Sequence, residues 1–205
     1  IGSRNYRPQE LATHAAFERM PFQLWGWYLY RRATVLAAEP NAAHLALVRL
    51  ERTLGDEFVL ITQNVDDLHE RGGSDTVHHM HGHLKGALCA ICDHRWPAPM
   101  VMAVGDPCPS CNAPAARPDI VWFGEMPYEM GRIYSALRRA DLFVSIGTSG
   151  AVYPAAGFVE EARQRRVRTL ELNLEASQGS RWFHETRQGP ATKVVPEWVD
   201  EVLGG

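Results

Sequence analysis

Apolar positions along this chain fall into two rhythms. The unbroken apolar run Phe58-Val59-Leu60-Ile61 and the apolar-rich stretches 141–146 and 167–172 have the length and β-branched content of buried strands. Between them, apolar residues recur at helical spacing over 42–54, 128–140 and 153–165. Asn41 suits the N-cap of the first of these helices, and Gly55-Asp56 ends it. Pro8 can open an earlier helix, 120–125 reads as a short strand ending in a glycine turn, and a strand at 192–195 followed by a helix at 196–203 closes the chain. Strands alternating with helices predict an α/β fold, a Rossmann-like doubly wound parallel sheet. The rhythm fails over 85–118, which is rich in Pro, Cys and small residues.

Three of the expected strands end in polar clusters, at 62–66, 147–150 and 173–175. The carboxyl ends of parallel strands share one edge, and ligands of open α/β sheets bind outside that edge. Gly147-Thr148-Ser149-Gly150, opening onto a helix, can offer backbone N–H groups to a phosphate, and Asn173 and Glu175 suit ribose hydroxyls. Each cluster alone is an ordinary turn; their convergence points to a nucleotide site. Close to the first cluster stand four imidazoles, His78, His79, His81 and His83.

Composition narrows the partners. A formal net charge of −3 over 205 residues creates no basic field for nucleic acid or an anionic membrane. No apolar run approaches the ~18 residues of a membrane span. With no basic n-region and apolar h-region at the start, a cytoplasmic enzyme or binding protein is expected. The four cysteines form two C-x-x-C pairs, Cys89/Cys92 and Cys108/Cys111, with fifteen residues between. Two disulfides are the alternative, but cytosolic thiols stay reduced, and the spacing suits one Zn²⁺ held by four thiolates. A closed four-sulfur site leaves no open position, so this zinc is expected to be structural. Upstream, the aromatic stretch 24–32 reads as an amphipathic helix on which Tyr28 and Arg31 share a face.

Thr62-Gln63-Asn64-Val65-Asp66, His81-Gly82, the four cysteines, Val121-Trp122-Phe123-Gly124-Glu125, Gly147-Thr148-Ser149 and Asn173-Leu174-Glu175 occur in one order. In that order they resemble the sirtuins, NAD-dependent protein-lysine deacylases. The resemblance runs from about Tyr6 to the C-terminus. It implies a Rossmann-like NAD-binding domain at 41–81 and 119–205, a helical part of a small domain at 6–40 and a zinc-binding module at 82–118. It also implies roles. Gln63, Asn64, Val65 and Asp66 would surround the nicotinamide and its ribose, with His81 the general base acting on a ribose hydroxyl. Gly147, Thr148, Ser149, Asn173, Leu174, Glu175 and Ala191 would hold the adenosine half. Val121, Trp122, Phe123, Gly124 and Glu125 would pair with the peptide carrying the acyl-lysine. His78, His79 and His83 read as surface or packing residues.

The Tyr28-x-x-Arg31 pair resembles the subclass that removes acidic acyl groups, implying succinyl-lysine and malonyl-lysine substrates alongside acetyl-lysine. The products would be nicotinamide, the freed lysine and O-acyl-ADP-ribose. Family members carry an N-terminal Gly-Ala-Gly segment that these 205 residues do not contain, so the sheet is expected to lack its first βα unit. Two other readings stay open: protein ADP-ribosyl transfer at the same NAD site, and a zinc-stapled peptide-binding fragment with impaired catalysis.

Overall fold

The computed structural model describes residues 11–204; the helix start expected at Pro8 lies outside them. In chain order the elements are α1 (His14–Arg19), α2 (Pro21–Ala37), α3 (Ala42–Leu54), β1 (Leu60–Thr62), α4 (Leu68–Gly72), β2 (Val77–His79), β3 (Gly82–Cys89), β4 (Arg95–Pro97), β5 (Ala116–Ile120), α5 (Met130–Arg139), β6 (Leu142–Ile146), α6 (Phe158–Gln164), β7 (Arg168–Asn173), β8 (Glu185–Gln188) and α7 (Ala191–Val202). The sheets are β1-β2, β4-β3-β5 and β6-β7-β8. The chain divides into two compact units. Over the described residues, unit one is 11–39, 61–67 and 78–129, and unit two is 40–60, 68–77 and 130–204. Residues 61–67, 78–81 and 119–129 thus fall with the helical and cysteine-bearing segments, whereas the expected boundaries grouped them with the nucleotide-binding ones.

In unit one, the Thr13 hydroxyl accepts the Ala16 N–H and starts α1, and Pro21 sits in the first turn of α2, where its missing N–H costs nothing. The inward face of α2 buries Leu24, Trp25, Tyr28 and Arg32. Leu24 and Tyr28 pack with Leu84, Ile120 and Trp122, while Trp25 packs with Ala87, Met102 and Ala116. Strand β3 pairs antiparallel with β4 on one side and β5 on the other. Gly82 starts β3 at φ +74, where an added Cβ would lie 2.1 Å from the Asp119 carbonyl oxygen. Only glycine allows the β3 and β5 backbones to come this close.

The strand expected at 120–125 is corrected: β5 ends at Ile120 and a tight turn follows. The Glu125 carboxylate accepts the Trp122 N–H at 2.7 Å, and the Glu125 N–H returns to the Trp122 carbonyl at 2.9 Å. The apolar content of this stretch serves a buried indole rather than an extended strand.

In unit two, β6, β7 and β8 are parallel, with Ile146 opposite Leu172 and Asn173 opposite Gln188. Ala43, Ala46, Leu47 and Leu50 of α3 form a core with Leu170 and Leu172 of β7 and with Val194, Val195, Trp198 and Val199 of α7. Asn41 caps α3 as expected, and His44 completes a capping box by accepting the Asn41 N–H on Nδ1. The expected strand at 192–195 is a second correction: α7 begins at Ala191 and continues through Pro196. An interior proline costs a helix about 3 kcal/mol. Burial of Val194, Val195, Trp198 and Val199 on one face outweighs that cost. Strand β8, polar throughout as Glu-Thr-Arg-Gln, carries no periodic signal and was not expected.

Candidate active site and metal centre

The four cysteine sulfurs lie within 4.8 Å of one another. Cys89 Sγ and Cys111 Sγ are 3.7 Å apart, as are Cys92 Sγ and Cys108 Sγ. Four sulfurs at a Zn–S distance of about 2.3 Å have tetrahedral edges of about 3.8 Å, matched by the two 3.7 Å pairs, so the set suits Zn²⁺ once the wider separations close in. Each C-x-x-C turn is built alike. Asp93 and Asn112 take positive φ and donate their N–H groups to the Cys89 and Cys108 carbonyls. The N–H groups of Ile91 and Ser110 point at the sulfurs of Cys89 and Cys108. Four thiolates close the coordination shell, so the ion would staple the ribbon and perform no chemistry.

The loop after β1 and the histidine between β2 and β3 come together in unit one. His81 Nδ1 lies 3.1 Å from the Gln63 carbonyl oxygen. A carbonyl only accepts, so Nδ1 carries the proton and Nε2 is left as the basic nitrogen of a neutral imidazole. Burial lowers the His81 pKa below its ordinary value, partly opposed by the Gln63 carbonyl, which favours the charged form. The ring is thereby held as a ready base at neutral pH. The loop itself is pinned: Asn64 N–H bonds the Thr62 hydroxyl, Leu84 N–H bonds the Val65 carbonyl, and Met80 N–H bonds the Thr62 carbonyl. Asp66 lines a shallow cleft with Arg32, Val65 and Lys85. Of the other imidazoles, His78 is buried and pairs with Glu129 at 2.8 Å, and the His79 and His83 rings stand 5.6 Å apart.

Tyr28 and Arg31 lie one helical turn apart on α2, Tyr28 2 % exposed and Arg31 half-buried. The Arg31 guanidinium stacks on Trp27 at 4.8 Å and makes no ion pair among the described residues. Burial pushes the Tyr28 pKa up to about 12, against the pull of the Trp122 hydrogen bond and the Arg31 charge. The hydroxyl therefore stays protonated and able to donate. In the 121–125 turn, the N–H groups of Val121, Trp122, Phe123 and Glu125 are already bonded within the chain. The Glu125 side chain faces inward onto Arg117 at 2.6 and 3.0 Å, and burial raises its pKa less than Arg117 and the Trp122 N–H lower it.

At the carboxyl edge of the unit-two sheet, Gly147 N–H bonds the Leu172 carbonyl and Asn173 Nδ2 bonds the Thr148 carbonyl. Gln178 N–H bonds the Ser149 carbonyl, so Gly147, Thr148, Ser149 and Asn173 are drawn to one place. Gly147 has φ +64, a backbone that glycine adopts without strain. Leu174 and Glu175 are exposed just beyond, and Ala191 opens α7. Below them the buried Glu171 carboxylate accepts both Ser177 and Ser180 hydroxyls, fixing the loop that follows β7.

Sequence reasoning missed three buried groups that shape these sites. Glu171 is one of three polar residues, with Arg168 and Thr169, in the stretch 167–172. Arg32, the last residue of the aromatic stretch, is 5 % exposed and donates to the Leu84 and Pro99 carbonyls at 2.9 and 2.7 Å. Arg117, 4 % exposed, fell in the segment read as the zinc module. The position of Arg32 on the inward stripe of α2 was the available signal; for Arg117 and Glu171 there was none.

The chain matches the Sir2 family over residues 3–154. The NAD-dependent protein deacylase of Vibrio cholerae serotype O1 is 50% identical over 202 residues, covering 97% of this chain and 82% of that protein. The NAD-dependent protein deacylase of Caulobacter vibrioides is also 50% identical over 202 residues, covering 97% and 85%. Among solved structures, a Sir2 homologue in complex with NAD superposes with a TM-score of 0.89 at 38% identity, over 98% of this chain and 79% of that one. With its Rossmann-like parallel sheet and four-cysteine centre, the chain belongs to the Sir2 family, the sirtuins.

Proposed function

We propose that this protein is an NAD-dependent protein-lysine deacylase that prefers acidic acyl groups, succinyl and malonyl, over acetyl. The relatives at 50% identity carry the deacylase name. The preference rests on one observation: a half-buried Arg31 guanidinium without an ion-pair partner among the described residues, one turn from a Tyr28 hydroxyl that stays protonated. A guanidinium fork takes a carboxylate through two bonds, and a phenol can add a third.

Bound NAD would supply the electrophile, the ribose carbon from which nicotinamide departs. Gln63, Asn64, Val65 and Asp66 would hold the nicotinamide side, with Asp66 on the carboxamide. His81 Nε2 would take the proton from a ribose hydroxyl once the acyl oxygen has attacked, its Nδ1–H held on the Gln63 carbonyl throughout. Gly147, Thr148, Ser149, Asn173, Leu174, Glu175 and Ala191 would take the adenosine half. Donor chemistry suits this: backbone N–H groups beside a positive-φ glycine, and amide and carboxylate side chains for hydroxyls. Because most N–H groups of 121–125 are used internally, main-chain pairing with a peptide would fall to carbonyls and the Gly124 N–H. Four thiols arranged for a metal rather than for disulfides suit a reducing compartment, the cytoplasm.

Arg31→Met tests the preference with succinylated and acetylated versions of one peptide. Loss of one charge-assisted, bidentate contact should cut kcat/KM for the succinyl peptide by roughly ten- to a hundredfold. The acetyl peptide should be nearly unaffected. Equal loss for both would overturn the assignment.

A further inference from the structure

Trp122 is held more firmly than a packing residue requires. Its indole is 1 % exposed, with the Arg117 guanidinium 3.6 Å above the ring centroid, the His14 ring edge-on at 4.9 Å and Phe17 at 5.1 Å. Arg117 is itself clamped by both Glu125 oxygens and by the Ile120 carbonyl, so the cation cannot leave the indole face. All of this aims one polar group: Trp122 Nε1–H donates to the Tyr28 hydroxyl at 2.8 Å in a fully buried contact.

The direction of that bond has a chemical consequence. Indole N–H is a donor only, so the Tyr28 oxygen must be the acceptor. A phenol O–H prefers the plane of its ring, where it has two positions. With the indole N–H on one side, the hydroxyl proton is left on the other, and among the described residues it donates to no acceptor. A cation on the indole face withdraws electron density and makes the N–H a stronger donor, and a hydroxyl that accepts a strong bond donates a stronger one. Such a hydroxyl is matched to a ligand that can only accept, which a carboxylate is and a methyl group is not.

We infer that Trp122 is a specificity-determining residue: its indole N–H occupies the acceptor side of the Tyr28 hydroxyl, turning the Tyr28 proton toward the acyl carboxylate and so setting the preference for acidic over neutral acyl groups. This rests on the reading that Tyr28 and Arg31 receive the acyl group. Trp122 acts through Tyr28 and needs no contact with the acyl carboxylate itself.

The test is a double-mutant cycle read as the succinyl-to-acetyl ratio of kcat/KM. Trp122→Phe keeps an aromatic ring and removes the N–H; the ratio should fall about tenfold, mainly through KM for the succinyl peptide, as expected for weakening one hydrogen bond to a charged group. In a Tyr28→Phe background, Trp122→Phe should leave the ratio unchanged, because the hydroxyl it orients is gone. A merely structural role would lower activity on both peptides alike and in both backgrounds, which would overturn the inference. Should Trp122→Phe fail to fold by thermal melting, benzothienylalanine at position 122 replaces N–H by sulfur at nearly constant ring size and carries the same expectations. Arg31→Met separates the two levels. Selective loss there with a non-selective effect at Trp122 overturns this inference alone, whereas equal loss for both peptides in Arg31→Met overturns the acyl reading and this inference together.

Discussion

Unit one and unit two bury different things. The core of unit two is aliphatic and aromatic, with Leu172, Val195 and Val199 at 0 % exposure, packed between two helices and a parallel sheet. Unit one buries the charged or titratable side chains Arg32, His78, Arg117 and Asp119, and adds four sulfurs arranged for a metal. Buried charge is a poor route to stability, since desolvation offsets most of the attraction. It does fix geometry, because each buried donor has few acceptable partners. Unit one spends its interior on direction: Arg117 on Trp122, Trp122 on Tyr28, and the Gln63 carbonyl on His81. Unit two gains most of its stability from packing; its buried carboxylate, Glu171, is taken up by the Ser177 and Ser180 hydroxyls of the loop after β7. Where aim matters more than strength, the chain uses hydrogen-bonded charge and metal ligation.

That contrast can be broken most directly at the metal centre. Removing zinc by chelation, or replacing Cys108 by Ser, should forfeit stabilisation on the order of 10 kcal/mol. Bound zinc and deacylation should both be lost, with red-shifted tryptophan emission, since Trp25, Trp27, Trp96 and Trp122 all belong to unit one. Retained activity in metal-free protein would show that the ribbon does not brace the site. Next in size, His81→Ala should lower kcat by roughly 10²–10⁴ while melting and zinc content hold. Because burial depresses the His81 pKa, the imidazole stays neutral as pH falls past the ordinary histidine value of about 6.5. The acid limb of kcat/KM should therefore lie below that value. The stability that His81 contributes as a neutral group is likewise present above its unfolded pKa and lost as pH falls through the lowered folded one. An acid limb above 7 would contradict this.

In unit two the matching perturbation is Leu172→Ala, which empties a fully buried site in the aliphatic core. Urea titration should show a loss of about 2–5 kcal/mol. A loss under 1 kcal/mol would mean that this core is less tightly packed than its burial indicates. The smallest effect is expected at Asp200→Ala, which breaks the 2.7 Å pair with Arg49 between side chains that are each 54% exposed. Exposed pairs contribute less than about 1 kcal/mol, and the change should leave both stability and activity nearly untouched.

Much of this was legible from the residues. The runs at 141–146 and 167–172 became β6 and β7 within one residue, and Asn41 caps α3 as its chemistry demands. These are local signals: alternation of apolar residues and a side chain that bonds its own backbone. The errors lay where distant partners decide. Thr192 to Val195 looks extended before Pro196, but packing against α3 and β7 makes it helix. The run 120–125 looks like a strand, but Glu125 folds back on Trp122 because Arg117 waits for its carboxylate.

The candidate site divides the same way. Sequence alone determined the identities: a histidine near a polar strand end, four cysteines at metal spacing, a tyrosine and an arginine on one helical face. These depend on spacing along the chain, which the residues carry in full. Only the tertiary structure decided which nitrogen of His81 is held on a carbonyl, which of two adjacent arginines is taken up by backbone carbonyls, and which group donates to the Tyr28 hydroxyl. Each answer comes from a hydrogen bond to a group 18 to 94 residues away. Hydrogen bonds act within about 3 Å, a range that only the folded chain can bring about.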